Sequence, residues 1–317
     1  MEIWRALDDV PAGLGRTVVV IGNFDGVHRG HRQVLGRARA VAAEDGHAVV
    51  AVTFEPHPMA VLRPEHAPTM LTTVEERARL LAEAGADHVL ALPFDREVAG
   101  WSPEQFVDSV LVERLHAAVV VVGANFRFGR RASGDVATLQ ELGRDRDFTA
   151  EGIALDGGPM VWSSTYVRTC LAAGDVAGAA EALGHLFAVR GVVVEGDKRG
   201  RELGFPTANV PVVPGAAAPA DGVYAGWLRR LDGSDGADGG VKHPAAISVG
   251  TNPTFDGSRD RRVEAYVLDR TDLELYGVEV EVEFVERIRG MVRFDGIDAL
   301  VAAMADDVER TREILRA

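Results

Sequence analysis

The spacing of apolar residues changes character once along this chain, near Gly184, and that change limits what the chain can fold into. Before it, short apolar runs alternate with helical patterns. Residues 17–21 (TVVVI) read as a strand buried on both faces. Further strands are predicted over 47–54, 88–94, 117–122 and 148–155. Helices are predicted over about 31–44, from the capping pattern Thr73-x-x-Glu76 to about residue 84, from Ser102-Pro103-Glu104-Gln105, from Ser133, and over 164–173. Such alternation implies an α/β fold: a parallel sheet covered on both faces, with ligands at the carboxyl ends of its strands. After Gly184 the period falls to two. Strands over 187–194, 223–231, 245–249, 263–268 and 278–288 are separated by Gly, Pro and Asp turns, and a helix over 296–315 closes the chain. That describes a small antiparallel barrel or sandwich. With 317 residues, two domains are expected, with the border at 184/185. Segments 215–221 and 232–240 are Gly/Ala/Asp-rich and read as surface loops.

Charge narrows the function. Seventeen basic and 25 acidic residues precede Gly184, and 17 and 23 follow, for a net charge of −14. Neither half is basic, which argues against nucleic acid and against an anionic membrane as partners. The single cysteine, Cys170, excludes an internal disulfide framework and a Cys-rich zinc module. The first residues lack a basic stretch followed by an apolar one, and the longest apolar run, around 117–124, is too short to span a bilayer. A soluble cytoplasmic enzyme is expected. Only Lys198 and Lys242 are lysines among the 34 basic residues, a compositional bias toward arginine.

Gly22-Asn23-Phe24-Asp25-Gly26-Val27-His28-Arg29-Gly30-His31 lies between the first strand and the first helix. Glycines allow close backbone approach to a ligand, and a helix N-terminus suits a phosphate. His28 and His31 are three apart and can share one side of the helix start. Neither the P-loop pattern nor G-x-G-x-x-G is present. By itself the pair also fits a tight turn with two surface histidines, or a metal site lacking a third local ligand. In the second half, glycines at 196, 200 and 204 interrupt a strand pattern, and Thr207 and Asn209 place a hydroxyl and an amide on one face of an extended segment. Both are hard oxygen donors of the kind Mg²⁺ accepts. A Gly-rich hairpin with ordinary polar residues fits the spacing equally.

Taken whole, the first string resembles the G-x-F-D-G-x-H-x-G-H signature of bacterial flavin adenylyltransferases in the nucleotidyltransferase superfamily. Thr53-Phe54-Glu55-Pro56-His57-Pro58, Gly123-Ala124-Asn125-Phe126-Arg127-Phe128-Gly129 and Ser163-Ser164-Thr165-Tyr166-Val167-Arg168 resemble that family's later motifs, in order. Residues 191–209 resemble the riboflavin kinase signature G-x-V-x-x-G-x-x-x-G-R-x-L-G-x-P-T-A-N, and 221–226, 248–255 and 263–266 resemble motifs that follow it. The chain is thus similar over essentially its whole length to the bifunctional riboflavin kinase/FAD synthetase family. The resemblance implies a Rossmann-like nucleotidyltransferase domain over 1–184 and a riboflavin kinase-like β-barrel, ending in a helix, over 185–317. It implies phosphorylation of riboflavin by ATP and adenylylation of FMN by a second ATP, both with Mg²⁺.

The resemblance also implies roles. His28, His31 and Asn125 would be catalytic in adenylyl transfer. Gly22, Asn23, Phe24, Asp25, Gly26, Gly30, Ser164, Thr165 and Arg168 would bind ATP or its phosphates. Gly196, Lys198, Gly200 and Gly204 would form the kinase nucleotide loop, Thr207 and Asn209 would hold Mg²⁺, and Glu264 would be the catalytic base. FMN's phosphate is already a charged nucleophile and needs no base, whereas riboflavin's neutral hydroxyl does. An adenylyl- or cytidylyltransferase for another substrate, with an accessory barrel, is one rival; the set Thr207, Asn209 and Glu264 weighs against it. A flavin-binding regulator without catalysis is another; the joint presence of His28, His31 and Glu264 weighs against that. Trp162 departs from the family pattern, where a smaller apolar residue is expected, and 288–290 matches the flavin-side segment loosely.

Overall fold

The computed structural model describes residues 1–154, 162–196, 204–233, 240–253, 259–270 and 272–316. The chain forms two compact units, Met1–Ser164 and Thr165–Ala317.

The first unit is a six-stranded parallel sheet. Its strands are β1 (Glu2–Trp4), β2 (Thr17–Ile21), β3 (Ala48–Glu55), β4 (His88–Pro93), β5 (Ala117–Gly123) and β6 (Thr149–Ile153), in the order β1-β4-β3-β2-β5-β6. Helices α1 (Arg29–Asp45), α2 (Pro58–Leu62), α3 (Val74–Glu83), α4 (Pro103–Phe106) and α5 (Val136–Arg144) connect them. β2 is apolar throughout because both its faces are covered. Val19 and Ile21 join a core that contains Phe106, Val107 and Leu111, while Val18 and Val20 join a core built with Leu35, Ala38 and Leu81. The chain runs outward from β2 in both directions, so the sheet's switch point lies between β2 and β5. In parallel sheets ligands bind at the carboxyl ends of the strands at such a point.

The unit departs from the sequence reading in several details, among them the short helix α2, which no expected segment covers. The helix expected from Ser133 starts later, at Val136. Phe128 and Gly134 form an antiparallel bridge with both hydrogen bonds made (3.0 and 2.9 Å), which holds Ser133 in a turn. Asp135 then caps the helix, its Oδ1 accepting from Thr138 N at 3.0 Å. The short strand β1, parallel to β4, carries no readable alternation in its three residues.

The second unit begins with α6 (Ser164–Ala173), from its second residue, and α7 (Val176–Leu183). Arg287 ties α6 to the strands that follow: its Nη1 donates to Ala173 O (3.2 Å) and its Nη2 to Asp221 O (2.8 Å). Strands β7 (Phe187–Val192), β8 (Thr207–Pro211), β9 (Gly222–Arg230), β10 (Lys242–Pro253), β11 (Arg259–Val267) and β12 (Glu279–Arg289) form an antiparallel sheet in the order β7-β12-β9-β10-β11-β8. A bridge between Val194 and Asn209, with Val194 N donating to Asn209 O at 2.9 Å, joins its two edges. Alternation is clean: Val263, Ala265 and Val267 are buried, while Glu264 and Tyr266 point to the other face and are half-buried. Gly226 is dictated by packing, since a Cβ there would lie 2.0 Å from Glu283 O. The closing helix α8 (Ile297–Leu315) is held by Asp307, which accepts from Arg289 Nε and Nη2 at 2.8 and 2.7 Å. Among the described residues no helix is long and apolar enough to cross a membrane. Of the two expected loops, 215–221 is described in full, and 234–239 of the other lie outside the described residues.

Candidate functional site

In the first unit the loop after β2 is tightly folded. Phe24, Gly26 and Val27 all have positive φ (49°, 81° and 41°), a conformation rare for a β-branched residue. The loop is fastened from below. The buried Asp25 carboxylate accepts from Leu71 N, Thr72 N and Thr72 Oγ1 at 3.0–3.1 Å. Gly26 N donates to Thr72 Oγ1 at 3.3 Å. Ser164 Oγ donates to Asp25 O at 2.8 Å, across 139 residues of sequence. Asp25 therefore uses its carboxylate within the protein, bonded to the segment that precedes α3.

His28 caps α1, with its Nδ1 accepting from His31 N at 3.4 Å. The His28 and His31 rings stack with centroids 3.6 Å apart, and His31 meets Phe24 edge-on at 5.1 Å. Gly30 is required here: a Cβ would lie 3.1 Å from the His28 ring and 3.5 Å from Trp162 O. Burial pushes the pKa of His28 down to about 4. Burial, then the neighbouring His28 and then Arg77 hold His31 well below the usual histidine range. Burial thus favours the neutral form of both rings, which can donate and accept hydrogen bonds without adding charge. Among the described residues no group of three or more His, Cys, Asp or Glu could hold a metal ion.

Asn23 lies exposed on the same loop, with Nδ2 3.3 Å from His57 Nε2. Asn125 is exposed in the turn after β5, the strand next to β2, so both lie at carboxyl ends beside the switch point. Gly22 would bring a Cβ to 3.2 Å from the Phe24 ring. Thr165 and Arg168 follow Ser164 on α6, and Thr165 O accepts from Thr169 Oγ1 at 3.1 Å. Two features escaped the sequence reading. Arg77 is buried beneath the loop, and its position among Val74, Ala78 and Leu81 on the apolar face of α3 is the signal that could have found it. Arg29 stacks over the Trp162 ring at 5.9 Å, which gives the unusual tryptophan a partner.

In the second unit a cavity of about 660 Å³ is lined by Gly196, Gly204, Thr207 and Asn209, with Arg270 and Tyr276 also in its wall. Lys198 and Gly200 lie outside the described residues. Asn209 is buried, and its Nδ2 donates to Thr207 O at 3.2 Å, which leaves Oδ1 as the acceptor of that side chain. Gly196 closes over it: a Cβ at 196 would lie 2.5 Å from Asn209 Nδ2. Glu264 stands opposite Asn209 in the β8–β11 register and opposite Ser248 in β10–β11, and is not in the wall of this cavity. The wall residues from 270 to 276 had no sequence signal beyond ordinary turn composition.

Two family models match successive parts of the chain. The family model described as FAD synthetase matches residues 11–156, and that described as riboflavin kinase matches residues 183–315. The chain is 39% identical over 298 residues to the bifunctional riboflavin kinase/FMN adenylyltransferase of Escherichia coli K12, covering 93% of this chain and 92% of that protein. It is 36% identical to the protein of that name from Pseudomonas fluorescens, over 99% and 98% of the two chains. A crystal structure of a protein described as a macrolide-efflux protein from Streptococcus pneumoniae superposes with a TM-score of 0.86 at 30% identity, covering 98% of each chain. Matched from end to end by relatives of one kind, with both halves falling to the two models expected of them, this chain belongs to the bifunctional riboflavin kinase/FMN adenylyltransferase family.

Proposed function

We propose that this protein makes FAD in two steps, with residues 185–317 phosphorylating riboflavin and residues 1–184 adenylylating the FMN formed. Membership of the family carries the reading, and the two constellations agree with it. In the first step the 5′-oxygen of riboflavin forms a bond to the γ-phosphorus of ATP, and the bond from that phosphorus to ADP breaks. Glu264 accepts the hydroxyl proton. A positioned base of this kind contributes about 10²–10⁴-fold. Gly196, Lys198, Gly200 and Gly204 are the residues that bind the kinase nucleotide. Thr207 and Asn209 fit a hard cation, since a hydroxyl and an amide oxygen two residues apart share a cavity wall. They would hold Mg²⁺, which when bound neutralises phosphate charge.

In the second step a phosphate oxygen of FMN bonds to the α-phosphorus of ATP and pyrophosphate leaves. No proton needs removing, so alignment and charge stabilisation are the whole task. His28, His31 and Asn125 contact the reacting phosphates. The backbone of Gly22–Gly26 and Gly30, with Ser164, Thr165 and Arg168, cradles the rest of the nucleotide. Riboflavin, FMN and ATP are the partners, and the reaction belongs in the cytoplasm. The test is to incubate the protein with riboflavin, ATP and MgCl₂ and resolve the flavins by chromatography. Successive appearance of FMN and FAD is expected; if neither forms, the reading fails.

A further inference from the structure

The stretch 263–266 holds one side chain that the two-step reading leaves without a part, Tyr266. It stands opposite Thr207 on the last rung of the β8–β11 ladder, two rungs beyond the pair Asn209 and Glu264. The ladder cannot continue through the next residue, because Pro206 has no N–H to donate. Before it the chain turns at Gly204, whose φ of 89° lies in the left-handed region. The ends of a ladder open more readily than its middle. Thr207 lies at such an end, whereas Asn209 lies two residues further in and is buried. A ring contact begins where the hydrogen bonds stop. Phe205 and Tyr266 meet edge-on, with centroids 5.2 Å apart and planes at 68°. The ring quadrupoles favour this arrangement. Both residues are half-buried. On its other side Tyr266 faces Ala246 of β10, so its aromatic neighbour comes from the β8 side.

We propose that Tyr266 is a positioning residue of the kinase site: by holding the Phe205 ring beyond the last rung of the sheet, it fixes Thr207 where the nucleotide and its cation meet the protein. The inference rests on the reading of Thr207 and Asn209 as the residues that hold Mg²⁺ and nucleotide. The connection from ring to hydroxyl is stiff. A residue before proline is confined to extended backbone, and proline has a locked φ, so Phe205-Pro206-Thr207 has few free torsions. A restraint on the Phe205 ring is therefore passed to Thr207. A site of this kind needs its ligands held to within about 0.5 Å, and a fraying strand end does not supply that by itself. The part of Tyr266 lies in its ring and not in its hydroxyl, because the contact with Phe205 is made by the ring.

The test uses the full-length protein with Tyr266→Phe, which keeps the ring, Tyr266→Leu, which removes it, Phe205→Leu, and the double variant Tyr266→Leu/Phe205→Leu. Binding of ADP in the presence of MgCl₂ is measured by calorimetry, and KM for ATP and kcat are measured for riboflavin phosphorylation. Tyr266→Leu is expected to weaken ADP binding by about tenfold and to raise KM for ATP in step. Tyr266→Phe should restore both to within about twofold of the wild type. The double variant should bind ADP no more weakly than Tyr266→Leu alone, since both changes break one contact. FAD formation from supplied FMN should not respond to any of them, whereas a general loss of folding would lower it as well. The proposal is overturned if folded Tyr266→Leu binds ADP as the wild type does, if Tyr266→Phe is as impaired as Tyr266→Leu, or if the losses of the two single variants add in the double. Should Tyr266→Leu not fold, Phe205→Leu decides: a tenfold loss of ADP binding supports the proposal, and wild-type binding overturns it. If the wild type itself makes no FMN from riboflavin, the functional reading has failed, an outcome distinct from an active wild type whose ring variants bind ADP normally.

Discussion

Glu264 on β11 faces Asn209 on β8 across one rung of the antiparallel ladder. Directly opposed residues project to the same side of a sheet, so the proposed base and a proposed Mg²⁺ ligand are neighbours by register alone. Glu264→Gln should therefore remove base chemistry and leave the fold intact. FMN formation from riboflavin should fall by about 10²–10⁴-fold, while conversion of supplied FMN to FAD continues at the wild-type rate. Chromatography of both reactions from one preparation checks it, and loss of both activities in a folded variant would show that the two sites are not independent.

The reverse separation is expected for His28→Ala combined with His31→Ala. FAD formation from FMN should drop by about 10²–10³-fold, the cost of losing preorganised donors aimed at developing phosphate charge. Riboflavin phosphorylation should be unchanged. Steady-state rates with riboflavin and with FMN as alternative substrates measure the split.

Gly196→Ala tests the closeness of Gly196, a residue proposed to bind the kinase nucleotide, to Asn209. The added methyl would lie 2.5 Å from Asn209 Nδ2, and that amide is buried and cannot swing aside freely. The kinase kcat/KM for ATP should fall by about tenfold or more, as displaced ligands do in a preorganised site. FAD formation from FMN should not respond.

His28 gives the protein a pH-dependent stability with a definite sign. Its pKa is about 4 when folded, against an ordinary value of 6.5, so the unfolded chain binds the extra proton first. Stability should hold above about pH 6.5 and decline as pH falls from there toward 4, by on the order of 3 kcal/mol from this residue. Urea midpoints of the wild type and His28→Ala across that window are the measurement. A wild-type midpoint that falls no faster than the variant's would contradict the assignment.

Glu281 is buried between Arg190 on β7 and Arg229 on β9, its direct neighbours in both registers. Arg190 Nε donates to Glu281 Oε2 at 2.6 Å, and Arg229 Nη2 donates to Oε1. Burial opposes ionisation of this carboxyl, yet the two guanidinium groups outweigh it and hold the pKa below the usual range. Its contribution is present above the ordinary carboxylate pKa and lost as pH falls through the lowered one. Glu281→Ala should destabilise the protein by about 3 kcal/mol, because two cations lose their partner. Replacing all three residues with apolar side chains of similar volume should cost much less, and denaturant unfolding compares the two.

Legibility in the sequence followed the distance over which each feature is encoded. β2 was readable because burial on both faces makes it uniformly apolar, and the loop proposed to hold phosphate because its glycines and histidines lie within ten consecutive residues. Thr207 and Asn209 were readable as a pair because strand alternation puts residues two apart on one face. The start of α5 was misplaced because a bridge between Phe128 and Gly134 holds Ser133 in a turn. Arg77 escaped because its meaning depends on Thr53 and Thr72, brought to it from 24 and five residues away by the crossover of the chain. The Ser164–Asp25 bond, spanning 139 residues, has no local trace, although both motifs that it joins were found.

The place of β2 in the strand order carries one more consequence. It lies third from the β6 edge, with β3 and β5 hydrogen-bonded on either side, while β1 and β6 are the edges. Local opening of a sheet starts at its rims, and amide exchange is slowest where a strand has neighbours on both sides. The loop proposed to hold ATP springs from the last region of this sheet to loosen on warming. Fraying at either rim can come and go while the nucleotide stays gripped.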